Sequence, residues 1–283
     1  MMNSFFPTVS LIIPCYNNEK YIKKTLTSVK EQTYSSWECI IINDGSTDNS
    51  EETILNYIEG DPRFTYKYQE NQGVCTARNS AIKNFSKGKY ILCLDGDDLI
   101  SKNFIDETVE ILESNTNVII ATSKIQFFGR SRGNFKVASY DMATLLAENQ
   151  LVITSLFRKD DFDKVGGFNN NMSEGLEDWD FWISILKNNP SGQIKNAPNA
   201  CFYYRLLNVS RNNQITEDKE KRLRYQLWEN HKELFSLYFV DPTKSFEFRK
   251  YSNSIEYKLG KIILAPVRKL KFHFVSFNEF LFN

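Results

Sequence analysis

Strand-like and helix-like segments alternate along the first hundred residues of this 283-residue chain, and this alternation restricts the fold more than any other feature. Short apolar runs at Val9–Pro14, Trp37–Asn43, Phe64–Tyr68 and Tyr90–Leu94 are typical of strands buried on both faces. Helix-periodic segments separate these runs at the spacing of βαβ units. The pattern predicts an α/β fold with a doubly wound sheet in this part of the chain.

The second half of the chain continues with fewer strands and then becomes helical. Strand-like runs occur at Val118–Phe128, Val152–Phe157 and Cys201–Leu206, and the segment from Glu177 has apolar residues on one helical face. From Glu217 onward the sequence is helical, charged and rich in aromatic residues. We therefore expect one α/β domain over residues 1–214 and a helical extension over residues 215–283.

Composition excludes several classes of protein. Lys and Arg together number 35, as do Asp and Glu, so we expect no nucleic acid partner. The five cysteines show no CxxC spacing and read as buried thiols in a reducing compartment. His231 and His273 lie far from any cysteine pair, so we expect no zinc site. No window resembles a membrane span or a signal peptide, which favours a cytoplasmic location.

An acidic turn follows the apolar run Tyr90–Leu94. Asp95, Asp97 and Asp98 lie together at the carboxyl end of this predicted strand, with Gly96 between them. Carboxylates this close repel each other, and a divalent cation removes the repulsion by taking oxygen ligands from one or two of them and from substrate phosphates. The alternative is a plain strand-to-helix turn in which Asp98 or Ser101 caps the next helix.

Polar residues end three of the predicted strands, and the carboxyl ends of strands in α/β sheets are where ligands bind. These residues are Tyr16, Asn17, Asp44, Asp95 and Asp97. They suit a nucleotide, because a tyrosine face stacks, a carboxylate accepts from ribose or base, and a metal binds a diphosphate. Arg78 adds a positive charge for the diphosphate. The alternatives are an Asx turn at Asp44 and a solvated helix face at Arg78.

Six motifs in order resemble the family 2 glycosyltransferases with the GT-A fold, over roughly residues 8–210. They are SLIIPCYNNEKYI, NDGSTD, NQGVCTARN, LDGDD, LFRKDDFDKVGGF and GLEDWDFW. The resemblance implies a GT-A mixed sheet, with a Rossmann-like nucleotide-binding half and an acceptor half. It also implies an inverting enzyme that moves a sugar from a nucleotide-diphosphate donor, expected to be a uridine diphosphate sugar, to an acceptor hydroxyl.

The resemblance also implies roles for single residues. It places base and ribose contacts on Tyr16, Asp44 and Asp95, and the metal, Mn²⁺ or Mg²⁺, on Asp97 with Asp95 assisting. The full set of donor-binding residues is then expected to be Pro14, Tyr16, Asn17, Asp44, Arg78, Asp95, Gly96 and Asp97. The acceptor-activating base is expected at Asp178.

The chemistry of its position supports Asp178 independently. A general base must be ionised, and the amino end of a helix favours a carboxylate. Glu177 opposes this, because a neighbouring like charge raises a pKa. The alternative is that one of these acids is only a helix cap. The preceding glycine-bearing loop, which lets backbone approach a ligand, favours a catalytic role.

One departure from the family pattern affects the metal, and one missing signature bears on the mode of action. Many relatives carry a histidine shortly after the Tyr-Arg of the last strand, whereas here Leu206, Leu207 and Asn208 follow Arg205. Either Arg205 or Asn208 stands in for this ligand, or the metal is held more loosely. The QxxRW signature of processive synthases is also missing, so we expect one sugar to be added per encounter.

Two other functions compete with this interpretation. A nucleotidyltransferase or dehydrogenase is disfavoured because GxGxxG and GxxxxGK phosphate loops are missing. A non-catalytic sugar- or nucleotide-binding module on the same fold remains the main alternative. Donor sugar, acceptor and linkage depend on the loops between Phe127 and Ser155 and on the extension.

Residues 258–283 suggest a further partner. Between Lys258 and Val275 there are five basic residues and no acidic one, interleaved with Ile, Leu, Val and Phe. Such a segment suits an anionic membrane surface, where the enzyme would meet a lipid-linked or growing glycan acceptor. The alternative is that these aromatic residues pack on the catalytic domain or on a second subunit of a homo-oligomer.

Overall fold

The computed structural model describes residues 6–135, 140–207, 216–238, 253–260 and 262. Its strands are β1 (Val9–Cys15), β2 (Trp37–Asp44), β3 (Phe64–Gln69), β4 (Tyr90–Cys93), β5 (Leu99–Ile100), β6 (Val118–Gly129), β7 (Gly133–Phe135), β8 (Leu156–Arg158) and β9 (Gln193–Leu206). Its helices are α1 (Ile22–Lys30), α2 (Ser50–Ile58), α3 (Val74–Asn84), α4 (Phe104–Ser114), α5 (Met142–Ala147), α6 (Lys159–Val165), α7 (Glu177–Asn188), α8 (Glu217–Asn230) and α9 (Lys232–Tyr238). A 3₁₀ turn covers Asn170–Met172.

The strands form one mixed sheet in the order β3-β2-β1-β4-β8-β6-β9-β5, with β7 paired to β6. The first four strands along this order are parallel, and β8 pairs antiparallel with both β4 and β6. The parallel half brings the carboxyl ends of β1, β2 and β4 to the same edge. This architecture confirms the predicted doubly wound mixed sheet.

Alternate side chains of β1 enter two separate cores, which explains why its sequence is apolar throughout. Leu11 and Ile13 pack with α1 and α4, whereas Ile12 packs with α3, α6 and α7 on the other face. Successive residues of a strand point to opposite faces, so a strand covered on both faces needs an unbroken apolar run.

The strand bounds in the second half differ from the sequence prediction. The strand predicted at Val152–Phe157 is shorter and lies later, as β8 (Leu156–Arg158). Strand β9 begins at Gln193, eight residues before the predicted start at Cys201. Residues 193–197 of β9 pair with β6 although their sequence lacks strand periodicity. The register of β6 against β9 then shifts between Ser123 and Lys124, which marks a β-bulge or irregularity.

The acidic turn leads into β5 rather than directly into a helix. The N-cap of α4 is Asn103, and the Ile105 N–H in the first turn donates to Gln32 Oε1 at 3.1 Å, so the alternative in which Asp98 or Ser101 caps this helix is wrong. Ser101 instead accepts the backbone N–H of Cys201 at 3.0 Å. The segment that follows the acidic turn is therefore bound to β9 through β5 and Ser101.

Helices α8 and α9 of the extension pack on the α/β domain. Leu227 of α8 and Leu234 of α9 belong to the same core as Trp179 of α7. No helix in the described ranges is long and apolar enough to span a membrane. Residues 208–215 and most of 258–283 lie outside the described residues, so the domain boundary, Asn208 and the membrane hypothesis stay predictions.

Candidate active site

The carboxyl ends of β1, β2 and β4 surround a cavity of about 400 Å³, here named the Asp97 cavity. It is lined by Pro14, Cys15, Tyr16, Asn18, Asp44, Asn71, Gly73, Val74, Asp95, Gly96, Asp97, Asp98, Ser173, Tyr204 and Arg205. Six of the predicted donor-binding residues are in this set: Pro14, Tyr16, Asp44, Asp95, Gly96 and Asp97. Tyr16 is 50% exposed, so its ring is accessible for stacking.

Asp44 lies at the end of β2 and holds the loop that starts α3. Its Oδ1 accepts from Gln69 Nε2 at 2.7 Å and from the Gln72 N–H at 2.9 Å, and its Oδ2 accepts from the Gly73 N–H at 2.9 Å. The alternative of an Asx turn at Asp44 is wrong, because none of these donors is the backbone N–H two residues on; the nearby Ser46 N–H donates instead to Asn43 Oδ1 at 2.9 Å. Asp44 is therefore rigidly oriented, with its carboxylate at the cavity wall.

Asn17 does not line the Asp97 cavity, and Asn18 takes the place predicted for it. Asn17 has a left-handed backbone with φ 54°, and its Oδ1 accepts from the Thr47 N–H at 2.8 Å. It thus joins the β1 and β2 loops. A Cβ on Gly96 would lie 2.8 Å from Asn18 Oδ1, so a larger residue there would displace the Asn18 side chain.

Burial and mutual repulsion act on the acidic turn. Burial, followed by the charge of Asp95, raises the pKa of Asp97 to about 6. Burial, followed by the charges of Asp97 and Asp95, also raises the pKa of Asp98 well above its usual range. Asp98 Oδ1 accepts the Arg205 N–H at 2.7 Å, which binds Asp98 to β9, and both Asp97 and Asp98 line the cavity.

The site suits a cation shared with a substrate better than a complete protein cage. No group of three or more metal-ligating side chains converges among the described residues. Asp95 and Asp97 line one cavity with hard oxygen donors, and their repulsion is the kind that a divalent cation relieves. Mn²⁺ or Mg²⁺ held by one or two carboxylates and completed by phosphates fits these residues.

Arg205, the last charged residue of β9, lies in the Asp97 cavity. Its Nε donates to the Asp97 carbonyl at 2.6 Å, and its guanidinium lies over the rings of Tyr21 and Phe128, 4.7 Å and 4.3 Å from their centroids. Its Nη2 is buried and has no hydrogen-bond partner among the described residues. Arg205 therefore supplies a positive charge beside the acidic turn.

Arg78 is not on a solvated helix face. It is 1% exposed, and its two amino nitrogens bind Asp95 Oδ1 at 2.6 Å and Glu177 Oε1 at 3.1 Å. Glu177 is itself 3% exposed. This buried network joins the acidic turn to the first residue of α7. Arg78 does not line the Asp97 cavity, and it contacts a residue of that cavity through Asp95.

Asp178 lies in a neighbouring cavity of about 530 Å³, here named the Asp178 cavity. Its Oδ1 accepts the Trp179 N–H at 2.7 Å, and its Oδ2 accepts from Asn149 Nδ2 at 3.2 Å. The Asn149 oxygen accepts the Leu151 N–H at 3.1 Å, which fixes the orientation of the amide. The N-cap of α7 is Leu176, so neither Glu177 nor Asp178 is the N-cap residue.

The two cavities share a wall. Asp95, Asp98 and Tyr204 line both of them, with Asp97 on one side and Asp178 on the other. The arrangement can hold a metal-bound phosphate on one side and orient a carboxylate toward a second ligand on the other.

Sequence reasoning missed two contributors to this site. The role of Asn149 has no signal in the sequence, because it is 29 residues from Asp178 and lies in a loop. The pairing of Glu177 with Arg78 is equally non-local, although a basic residue is the expected partner of a buried carboxylate.

The chain matches the model of the glycosyl transferase family 2 over residues 10–176, a range that ends two residues before Asp178. A putative teichuronic acid biosynthesis glycosyltransferase, TuaG of Bacillus subtilis, is 29% identical over 87% of this chain and 95% of its own length. An uncharacterized glycosyltransferase of Rickettsia typhi is 32% identical over 65% of this chain. The chain spans 60% of the length of the Rickettsia protein.

Solved structures show the same fold. Staphylococcus aureus TarS 1–349 in complex with UDP-GlcNAc matches with a TM-score of 0.61 at 17% identity, over 89% of this chain and 77% of that chain. A mannosyltransferase of Pyrobaculum calidifontis in complex with GDP-Man and Mn²⁺ matches with a TM-score of 0.59 at 18% identity, over 88% and 70%. These likenesses confirm the predicted GT-A fold. With the family model matching more than half of its residues, the chain belongs to glycosyl transferase family 2.

Proposed function

We propose that this protein transfers one sugar from a nucleotide-diphosphate sugar, expected to be a uridine diphosphate sugar, to an acceptor hydroxyl with inversion of the anomeric centre. The observation that carries the proposal is the pair of adjoining cavities. One holds Tyr16, Asp44 and Asp97, and the other holds Asp178. Donor and acceptor would meet at the wall that the cavities share.

On the donor side, each residue has a role suited to its position. The accessible Tyr16 ring stacks on the base, and Asp44 accepts from the base or the ribose. Asp97, with Asp95, would hold Mn²⁺ or Mg²⁺, which when bound neutralises the diphosphate and makes it a better leaving group. Arg205 adds positive charge beside the same phosphates and would stand in for the missing histidine as their partner.

On the acceptor side, Asp178 is the general base of a single displacement. It removes the proton of the acceptor hydroxyl while that oxygen forms a bond to the anomeric carbon. The bond from this carbon to the diphosphate breaks, and the electron pair leaves with the diphosphate. Asn149 and the Trp179 N–H hold the two carboxylate oxygens in place.

The comparisons support the donor class and leave its identity open. The structural neighbours bind UDP-GlcNAc in one case and GDP-Man with Mn²⁺ in the other. The Bacillus relative is named for the biosynthesis of a surface polysaccharide. We propose accordingly that the acceptor is a growing glycan or a lipid-linked oligosaccharide handled in the cytoplasm.

Asp97→Asn is expected to abolish the stimulation of nucleotide binding by metal, because an amide is a neutral and weaker ligand for a hard cation. The measurement is calorimetric titration with uridine and guanosine diphosphates, with and without Mn²⁺. Asp106→Asn, at an exposed position of α4, is the matched control. If metal has the same effect on the wild type and on the Asp97 variant, Asp97 is not a metal ligand.

The alternative function is a non-catalytic nucleotide-sugar or glycan-binding module on the same fold. A panel of nucleotide sugars, incubated with the protein and Mn²⁺, separates the two functions by release of the nucleoside diphosphate. Turnover that depends on Asp97 supports the enzyme. Binding without turnover of any donor, with or without an acceptor glycan, would support the binding module instead.

The membrane hypothesis is motivated by exposed apolar side chains in the described part of the tail. Ile255 is 72% exposed and Leu259 is 51% exposed on one stretch of helix, with Lys258 between them. We expect the protein to sediment with vesicles that contain anionic lipid, less so at high salt, and not after truncation beyond Tyr257. Full-length protein that stays in the supernatant at low salt would show that the tail has another role.

A further inference from the structure

Asp180 is a buried carboxylate on α7, two residues after Asp178, and the mechanism above gives it no role. It is 2% exposed. Its Oδ1 accepts from Asn230 Nδ2 at 2.7 Å and lies 3.0 Å from His231 Nε2. Because an ionised carboxylate can only accept hydrogen bonds, His231 Nε2 carries the proton in this contact. The helical extension therefore supplies two donors to one buried oxygen of the helix that carries the base. These three residues, Asp180, Asn230 and His231, are here named the α7 clamp.

His231 is itself fixed in place. It is 5% exposed and is the C-cap residue of α8. Its N–H donates to the Leu227 and Trp228 carbonyls at 3.2 Å and 3.1 Å, and its carbonyl accepts the Phe235 N–H of α9 at 3.0 Å. The imidazole therefore reaches Asp180 from a junction at which both helices of the extension are bound.

Helix α8 also contacts the segment that leads into α7. The side-chain amides of Asn230 and Asn171 bind each other reciprocally, at 2.9 Å and 3.1 Å. The guanidinium carbon of Arg224 lies 4.9 Å from the ring centroid of Trp179. Contacts from α8 therefore extend from the 3₁₀ turn to the first turn of α7.

Helix α5 and the loop after it hold the same turn of α7. Trp179 is 2% exposed, and its Nε1 donates to the Leu145 carbonyl of α5 at 2.6 Å. Asn149 of the following loop donates to Asp178 Oδ2 at 3.2 Å. The base thus belongs to a turn that is held by α5 and its loop and by the helical extension.

The start of α7 needs such support because its backbone is strained. Leu176, the N-cap, has a left-handed backbone with φ 58° and ψ 17°. This conformation is unfavourable for leucine, and it persists only where the surrounding structure enforces it. The Asp180 N–H donates to the Leu176 carbonyl at 3.0 Å, so the residue held by the α7 clamp also closes the first hydrogen bond of the helix. Loss of the clamp would allow this turn to relax and would displace Asp178.

We propose that His231 is a positioning residue for sugar transfer: through Asp180 it fixes the first turn of α7 and with it the Asp178 carboxylate. This inference rests on the proposed function for the role of Asp178. It goes beyond that function by making the helical extension part of the catalytic unit, although the family model matches only residues 10–176. A reacting group that is misplaced by about 1 Å can lower a rate by about 10²-fold, so the clamp acts on turnover.

The test replaces His231 by methionine, which donates no hydrogen bond, and by glutamine, whose Nε2 can donate from a similar position. The assay is hydrolysis of the nucleotide sugar that the donor panel identifies, in which water gives its proton to Asp178 in place of the acceptor. We expect His231→Met to lower kcat by about tenfold, less than for a full displacement because Asn230 still binds Asp180. The dissociation constant of uridine diphosphate with Mn²⁺ should not change.

His231→Gln should recover most of the lost rate, because it restores a donor to Asp180. Wild-type turnover by His231→Met, or equally low turnover by both variants, would overturn the proposal. Val109→Ala separates positioning from lost stability, since Val109 is 5% exposed on α4 and belongs to the core on the other face of the sheet. An equal fall in kcat for Val109→Ala and His231→Met would assign the effect to stability and overturn the proposal.

Hydrogen exchange provides a readout that needs no turnover. We expect the amides of residues 177–182, followed by mass spectrometry, to exchange faster in His231→Met than in the wild type and to return toward the wild-type rate in His231→Gln. If the wild type turns over no nucleotide sugar, the proposed function fails and hydrogen exchange alone decides whether the α7 clamp holds the helix. Unchanged exchange in His231→Met would show that it does not, whatever the turnover.

Discussion

Asp178→Asn is expected to lower the rate of sugar transfer by about 10²–10⁴-fold, the usual contribution of a general base. Asparagine has the size and shape of aspartate and can still accept hydrogen bonds from the Trp179 N–H, but it cannot take a proton. Donor affinity should hold, because Asp178 does not line the Asp97 cavity. The measurement is transfer rate and donor dissociation constant for the wild type and the variant.

The control distinguishes catalysis from helix stabilisation. Asp218 is the second residue of α8, as Asp178 is the second residue of α7, and Asp218 is exposed. Asp218→Asn therefore removes a charge from the same helical position without touching a cavity. Wild-type transfer by the Asp178 variant, or equal losses in both variants, would show that Asp178 only stabilises its helix.

The stereochemistry of the product tests the same mechanism. A single displacement inverts the anomeric centre, which NMR of the first-formed product would detect. Retention would require a different path and would overturn the assignment of Asp178 as the base of a direct displacement.

Arg78→Met is expected to lower the free energy of unfolding by about 3–5 kcal/mol, because it removes one partner of a buried ion pair. Glu177 would lose the guanidinium while remaining 3% exposed. Asp95 contributes less to this loss, since its side chain is 37% exposed and water can replace part of the interaction. Equilibrium unfolding in urea measures the difference.

A surface ion pair provides the control for this prediction. Lys89 binds Glu113 at 2.7 Å, with side chains that are 55% and 47% exposed. Lys89→Met should cost no more than about 1 kcal/mol, as expected for solvent-screened pairs. A similar loss in both variants would mean that the Arg78 network is not a major source of stability.

A double variant adds a second check on Arg78. Changing Glu177 to Gln in the Arg78→Met background removes the buried charge that lost its partner, so part of the stability should return. No recovery would indicate that the loss arises from packing against Phe168, whose ring centroid is 5.5 Å from the guanidinium carbon.

The sequence determined the α/β class, the order of the first four strands along the chain and the edge where the polar strand ends gather. In an unbroken apolar run such as Ile40–Ile42, apolar side chains point to both faces of the strand, so both faces must be covered by other layers. Burial on both faces therefore follows from the sequence pattern. The sequence also predicted a cation site at the acidic turn, because three carboxylates after a buried strand need a cation or protonation to be stable together. Local chemistry was enough for these conclusions.

Tertiary structure alone decided which partners those residues take. Arg78 is 17 residues from Asp95 and 99 from Glu177. No local sequence pattern predicts that one guanidinium binds both carboxylates. Similarly, Asn17 and Asn18 are alike in sequence, yet only Asn18 lines the Asp97 cavity, because the left-handed backbone at Asn17 directs its side chain to the β2 loop. Burial and ion pairing depend on segments that meet only after the sheet forms. For that reason the sequence could supply the candidate residues, while the folded chain decided which of them face a ligand and which hold the site together.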